Sequence, residues 1–302
     1  MSAETRSEMK PMLSILIPAY NYASGVRRIV SPLLSEIRTD IEILIHDDSS
    51  NDSVATTVNE FGPQPCLHYS KNSPPLGAVQ NWNGLLEKAQ GRYVILIHHD
   101  DFPLSENFAS DLLEELEKHD WPDALVLSCL AYDAARKKVV PCLCNAFRAF
   151  AARHFPAYLF RRNIIGPPSV LIVRRDLFEG YDPELKWLVD VEAFFRFLKA
   201  QPRKLYFSQL TMVSSTGLPD AITTTIRQNV GEITAAELAY LEKKYPEMKH
   251  WAVLRKTFCY AGIPAIAEKL LWAMIKAAAF GRDLFVRAPC TAALRRARMT
   301  EA

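Results

Sequence analysis

"YVILIHHDDF", residues 93–102, is the stretch on which the fold turns. Tyr93 to Ile97 is a run of apolar and β-branched side chains, which reads as a buried strand. The run stops abruptly at His98, His99, Asp100 and Asp101. Two adjacent carboxylates at the end of an apolar strand repel each other and lose hydration, so they call for positive charge from elsewhere. Upstream, "MLSILIPAY" (12–20) and "IEILIHDD" (41–48) are apolar strands that end the same way, in polar residues. "LHYSKN" (67–72) reads as a short strand, and "DALVLSCLAYD" (123–133) as another.

The segments between them, 24–37, 51–61, 77–91 and roughly 105–119, read as helices, with Ser24 as an N-cap candidate for the first. Apolar strands alternating with such helices predict βαβ units, hence an α/β fold with a mainly parallel sheet. Ligands of such sheets bind beyond the carboxyl ends of the strands. The unusual polar residues fall there: Tyr20 and Asn21, Asp47 and Asp48, Asp100 and Asp101. The second half is mixed. "PSVLIVRRD" (168–176) and "KLYFSQLTMVSS" (204–215) read as strands, and "WLVDVEAFFRFLKA" (187–200) as a helix with an apolar face. Residues 231–245 and about 248–280 read as helices. No repeat or low-complexity linker marks a boundary.

Composition narrows the class. The 302 residues are 49% apolar and 23% charged, enough for a full globular core. Lys plus Arg number 36 against 34 Asp plus Glu, which argues against nucleic acid as a partner. Six cysteines are scattered, with only Cys142 and Cys144 close; one C-x-C is a weak metal signal, and reduced thiols are expected. "MSAETRSEMKP" lacks the apolar core of a signal peptide, and no stretch of about 20 residues is free of charge. A cytoplasmic protein is the expectation.

Four motifs in order, "SILIPAYN" (14–21), "IEILIHDDSSNDS" (41–53), "NWNGLLEKAQGRYVILIHHDD" (81–101) and "WLVDVEAFFR" (187–196), resemble the family 2 glycosyltransferases with a GT-A fold. The resemblance spans roughly residues 12–215. It implies a domain with a nucleotide-sugar half (about 12–133) and an acceptor half (about 134–215), between a flexible N-terminus (1–11) and a C-terminal helical extension (216–302). It also implies transfer of a sugar from a nucleotide-sugar, most often a UDP-sugar, to an acceptor hydroxyl, with inversion. A divalent cation, Mg²⁺ or Mn²⁺, is the expected cofactor, because it neutralises a diphosphate leaving group and prefers oxygen ligands.

By position in the family motifs, Asp101 is the metal ligand and Asp100 the ribose contact. Asp48 accepts a hydrogen bond from a nucleobase N–H. Pro18, Ala19, Tyr20 and Asn21 line the base and ribose pocket. The motif departs from the common D-x-D, since a histidine, His98 or His99, holds its first acidic position; packing is the favoured reading over metal ligation. Asp47 and Asp52 read as caps of the turn and the following helix. Asn72 and Asn81 sit near the ligand edge, where the helix beginning near Gly77 presents its N-terminus.

The resemblance carries the general base onto Asp190, with Glu192 as competitor. On a helix the two lie about 200° apart, so one substrate cannot meet both. Pro167, Pro168 and Ser169 shape the acceptor side. Arg227 reads either as a cation closing over the diphosphate or as a solvated arginine. The acceptor implied is a saccharide or lipid-linked glycan of cell-surface polysaccharide or lipopolysaccharide assembly. Residues 261–289 and the basic "ALRRARM" (293–299) read either as an amphipathic helix on the inner face of a membrane or as a helix packed on protein. Two alternatives to transfer fit the sequence less well. A sugar-nucleotidyl transferase usually carries a Gly-rich loop with a basic residue where "PAYNYASG" stands, and Asp48, Asp100, Asp101 and Asp190 together argue against a non-catalytic nucleotide-binding module.

Overall fold

β1 (Leu13–Ala19) and β2 (Ile41–Asp47) are buried at every position, the pattern of unbroken apolar runs inside a parallel sheet. Each fully buried isoleucine, such as Ile15, Ile17, Ile43 and Ile45, contributes about 1.5–3 kcal/mol by leaving water. β1 lies between β2 and β4 (Tyr93–Leu96), parallel to both, and β3 (Leu67–Lys71) extends the sheet parallel to β2. The crossovers are α1 (Ala23–Ser35), α2 (Ser53–Glu60) and α3 (Ala78–Lys88). The computed structural model describes residues 10–133, 138–142, 146–160, 162–216, 229–246 and 248. Two compact units divide the chain, Met1–Glu237 and Leu238–Ala302, and the sheet belongs to the first.

Past β4 the sheet becomes mixed. β8 (Leu171–Arg174) runs antiparallel to β4 and to β6 (Ala124–Asp133). β9 (Leu205–Thr216) runs parallel to β6, and β5 (Asp101–Pro103) antiparallel to β9. The order is β3-β2-β1-β4-β8-β6-β9-β5, with β7 (Lys138–Cys142) on β6. The remaining helices are α4 (Phe108–Lys118), α5 (Ala146–His154), α6 (Val189–Lys199) and α7 (Val230–Lys244). α6 buries Phe194, Phe195 and Phe197 among others.

The α/β reading of the sequence holds, and so do most of its elements. β5, β7 and α5 were not foreseen. The expected strand at 168–176 begins only at Leu171, because Pro168–Val170 forms a 3₁₀ turn. Ser24 is not the cap of α1; that place is held by Tyr22, without a side-chain bond. The expected boundary near 215 falls inside the first compact unit. The expected helix at 248–280 and the basic tail lie outside the described residues. Among the described residues, no helix is long and apolar enough to cross a membrane.

One glycine fixes how α1 meets the strand end of interest. A Cβ on Gly25 would stand 2.0 Å from the His99 carbonyl oxygen, so only glycine permits this approach.

Candidate active site

The carboxyl ends of β1, β2 and β4 open into one cleft of about 760 Å³. Pro18, Ala19, Tyr20, Asp48, Asn81, His99, Asp100, Asp101 and Asp190 all line it. Tyr20 is 43% exposed. Asn21, expected beside Tyr20, has another task. At φ 52° it turns its side-chain oxygen to the backbone N–H of Ser50 and the amide of Asn51, tying the β1 loop to the β2 loop.

Asp48 is held on three sides. Oδ1 accepts from Asn72 Nδ2 at 2.6 Å and from the Leu76 N–H at 3.1 Å; Oδ2 accepts from the Gly77 N–H at 2.7 Å. Gly77 adopts φ +83° at the start of α3, which a larger residue would resist. A carboxylate offers about four lone-pair positions, so one stays open on Oδ2. Asn81 is buried, donating to the His46 carbonyl and accepting from Asn72. Asp47 is the turn residue expected of it, accepting from the Ser49 N–H and from Tyr69 Oη. Asp52 pairs with Lys71 and makes no cap bond to α2.

At the end of β4 the chain turns sharply, with the Asp101 N–H donating to the His98 carbonyl at 2.9 Å. Asp101 then enters β5 opposite Ser214 of β9 and is only 1% exposed. Its Oδ2 accepts from Ser169 Oγ at 2.6 Å. Burial, and next the charge of Asp100, push its carboxyl well above the usual range; the hydroxyls of Ser169 and Ser214 and the Arg28 guanidinium pull the other way. His98 is displaced to about 4, chiefly by burial, against the opposing pull of Asp100. His99 is engaged elsewhere: Nδ1 lies 3.2 Å from the Pro18 carbonyl, and the ring meets Tyr22 edge-on.

One ligand atom each from His98, Asp100 and Asp101 lie within 4.8 Å of one another. A divalent cation suits this set, since its charge would offset the burial and the Asp100 repulsion that hold Asp101 toward its protonated form.

Across the cleft, Asp190 stands in the first turn of α6. Asn163 Nδ2 donates to its Oδ2 at 2.9 Å, and the Val191 N–H to its Oδ1 at 2.9 Å. Burial raises its carboxyl to about 6, and these hydrogen bonds limit the rise. Asn163 is itself fixed, accepting from the N–H groups of Ile165 and Gly166. Glu192 is fully buried and does not line the cleft; Arg196 grips its carboxylate with Nε and Nη2, both at 3.1 Å. Arg227 lies outside the described residues.

Four site residues escaped the reading of their roles. Ser169 and Ser214 hold Asp101, Asn163 holds Asp190, and Glu237 of α7 braces the segment before α6. The Glu237 carboxylate accepts from the backbone N–H groups of Lys186, Trp187 and Leu188, at 2.6 Å for the first and 2.8 Å for the last. Only Asn163 carried a local signal: an asparagine side chain readily accepts from the N–H two residues on, an Asx turn, here that of Ile165.

A parallel half with acidic strand tips, facing a mixed half that brings a further carboxylate, is the GT-A architecture of nucleotide-sugar-dependent glycosyltransferases. Residues 14–180 match the family described as Glycosyl transferase family 2, and the chain belongs to that family. It is 25% identical over 243 residues to an uncharacterized glycosyltransferase of Rickettsia typhi, covering 77% of this chain and 72% of that one. It is 31% identical over 101 residues to the UDP-Glc:alpha-D-GlcNAc-diphosphoundecaprenol beta-1,3-glucosyltransferase WfaP of Escherichia coli, covering 33% and 40%. The chain spans 64% of a second rickettsial relative and 62% of a mycobacterial one. Among solved structures, S. aureus TarS 1–349 in complex with UDP-GlcNAc aligns with TM-score 0.55 at 15% identity, over 72% of this chain and 61% of that one. Pyrobaculum calidifontis mannosyltransferase PcManGT with GDP-Man and Mn²⁺ aligns with TM-score 0.51 at 16% identity, over 96% and 87%.

Proposed function

We propose that this chain moves a sugar from a UDP-sugar to an acceptor hydroxyl with inversion, as a step in cell-surface glycan assembly. The observation that carries the reading is the single cleft joining the acidic tips of β2 and β4 to Asp190 on the opposite side. The nucleotide-sugar half, 12–133, contributes the first set and the acceptor half, 134–215, the second.

Asp48 offers its open lone pair to a nucleobase N–H, and Tyr20 offers a ring on which the base stacks. Asp100, the less buried of the adjacent pair, meets the ribose, and Asp101 the cation. When bound, a divalent cation would screen the diphosphate as the glycosidic bond breaks. Asp190 takes the acceptor proton. With its carboxyl near 6 it is mostly ionised at neutral pH yet basic enough to accept, the balance general-base catalysis favours. Asn163 holds it at one orientation. WfaP, named for a diphosphoundecaprenol acceptor, supports a lipid-linked acceptor. The UDP-GlcNAc of TarS supports the donor class, and the Mn²⁺ of PcManGT supports the cation.

The test is thermal stability of the full chain with UDP, GDP, dTDP and CMP, each with Mn²⁺ or with EDTA. A ligand at about 100 times its Kd stabilises by about 2.7 kcal/mol. Mn²⁺-dependent stabilisation by UDP that is lost in Asp101→Ala, with that variant still folded, is the expected result. No shift with any nucleotide removes the reading, and stabilisation by GDP alone changes the donor.

A further inference from the structure

His98 occupies a place that its packing does not explain. Its ring is braced by Trp82, centroid to centroid 4.6 Å, and it lines the cleft. Its Nε2 is buried without a hydrogen-bond partner, a state that buried polar groups rarely keep. Its neighbour His99 shows the ordinary alternative, with a ring nitrogen set against the Pro18 carbonyl. A His98 ring nitrogen also falls within 4.8 Å of carboxylate oxygens of both Asp100 and Asp101.

We propose that His98 is a ligand of the cation, so that the site is a His–Asp–Asp set and not a purely acidic one. This rests on the cation reading above and deepens it. An imidazole nitrogen is a borderline donor that suits Mn²⁺ and later transition ions better than Mg²⁺. The histidine in place of a first carboxylate therefore sets metal preference: this chain favours Mn²⁺ over Mg²⁺, and a third carboxylate would narrow the gap.

The experiment is pulsed electron paramagnetic resonance of Mn²⁺ bound to the full chain with UDP, using protein grown with ordinary or ¹⁵N-labelled histidine. The expected result is a ¹⁴N modulation at the ion that converts to ¹⁵N on labelling and disappears in His98→Asp. That variant should also lose about tenfold in its preference for Mn²⁺ over Mg²⁺, equal to about 1.4 kcal/mol, in competition for the same site. Bound Mn²⁺ without nitrogen modulation in the unaltered chain overturns the role of His98 and leaves the proposed function standing. No Mn²⁺ bound with UDP, GDP or dTDP overturns both. Because the unaltered protein alone decides the first question, a variant that fails to fold does not shelter the proposal.

Discussion

Asp190 gives the sharpest prediction, because burial opposes the charged form its proposed role requires. A carboxyl near 6 in the folded chain, against 3.8 as its ordinary value, means that the folded state holds a proton the unfolded state has released. Folded-state stability from this group is therefore present below about pH 4 and is lost as pH rises through 6. At about 1.4 kcal/mol per unit the full loss is at most about 3 kcal/mol, since the cleft side of the carboxylate keeps some water. Asp190→Asn removes the charge. It also leaves one acceptor where two are used, by Asn163 and by the Val191 N–H, which costs about 1–3 kcal/mol at every pH. That constant cost cancels when one variant is compared with itself across pH. Urea unfolding of both proteins between pH 5 and 8 should show the variant gaining about 1.4 kcal/mol on the unaltered chain, because half of the titration lies in that window. Other carboxylates titrate equally in both proteins. A variant that gains nothing on the unaltered chain between pH 5 and 8, or that falls further behind it as pH rises, would refute the argument that Asp190 is a desolvated carboxylate.

Two further outcomes follow from packing. Gly25→Ala forces a methyl against the His99 carbonyl oxygen and should cost about 3 kcal/mol, read as a lowered melting midpoint, with nucleotide-dependent stabilisation weakened as well. Glu237→Gln keeps one acceptor oxygen and points an amide donor at backbone N–H groups, costing about 1–3 kcal/mol; trypsin should cut faster after the exposed Lys186. A cleavage rate equal to that of the unaltered chain would count against the brace.

What could be read from the sequence was what is local. Runs such as "SILIPA" and "YVILI" state both strand and burial, and the parallel-sheet rule then places their ends together. Asp48, Asp100 and Asp101 could be found that way, and Asp190 through the resemblance of "VDVEAFFR". The partners of those residues could not. Ser169 reaches Asp101 from 68 positions away, and Glu237 reaches Leu188 from 49 away, through pairings that no short pattern encodes. β5 is three residues long and ends in Pro103, too short for a period. Asn21 was expected in the pocket because of its neighbours; its positive φ turns it to the β2 loop instead. Of the two histidines, spacing could not say which faces the carboxylates. The turn closed by the Asp101 N–H on the His98 carbonyl does.

The brace from Glu237 bears on how short this protein can be made. The match to the family ends at residue 180, short of Asp190, and the strand pattern ends at 216, which makes 216 the natural place to cut. A fragment ending there would keep every acidic strand tip and Asp190 itself. It would lose the carboxylate that fixes Lys186 to Leu188, and Thr234, which also lines the cleft. The smallest piece that keeps the wall carrying Asp190 braced therefore runs through α7, and a shorter one should keep the acidic strand tips in place while the segment before α6 loosens.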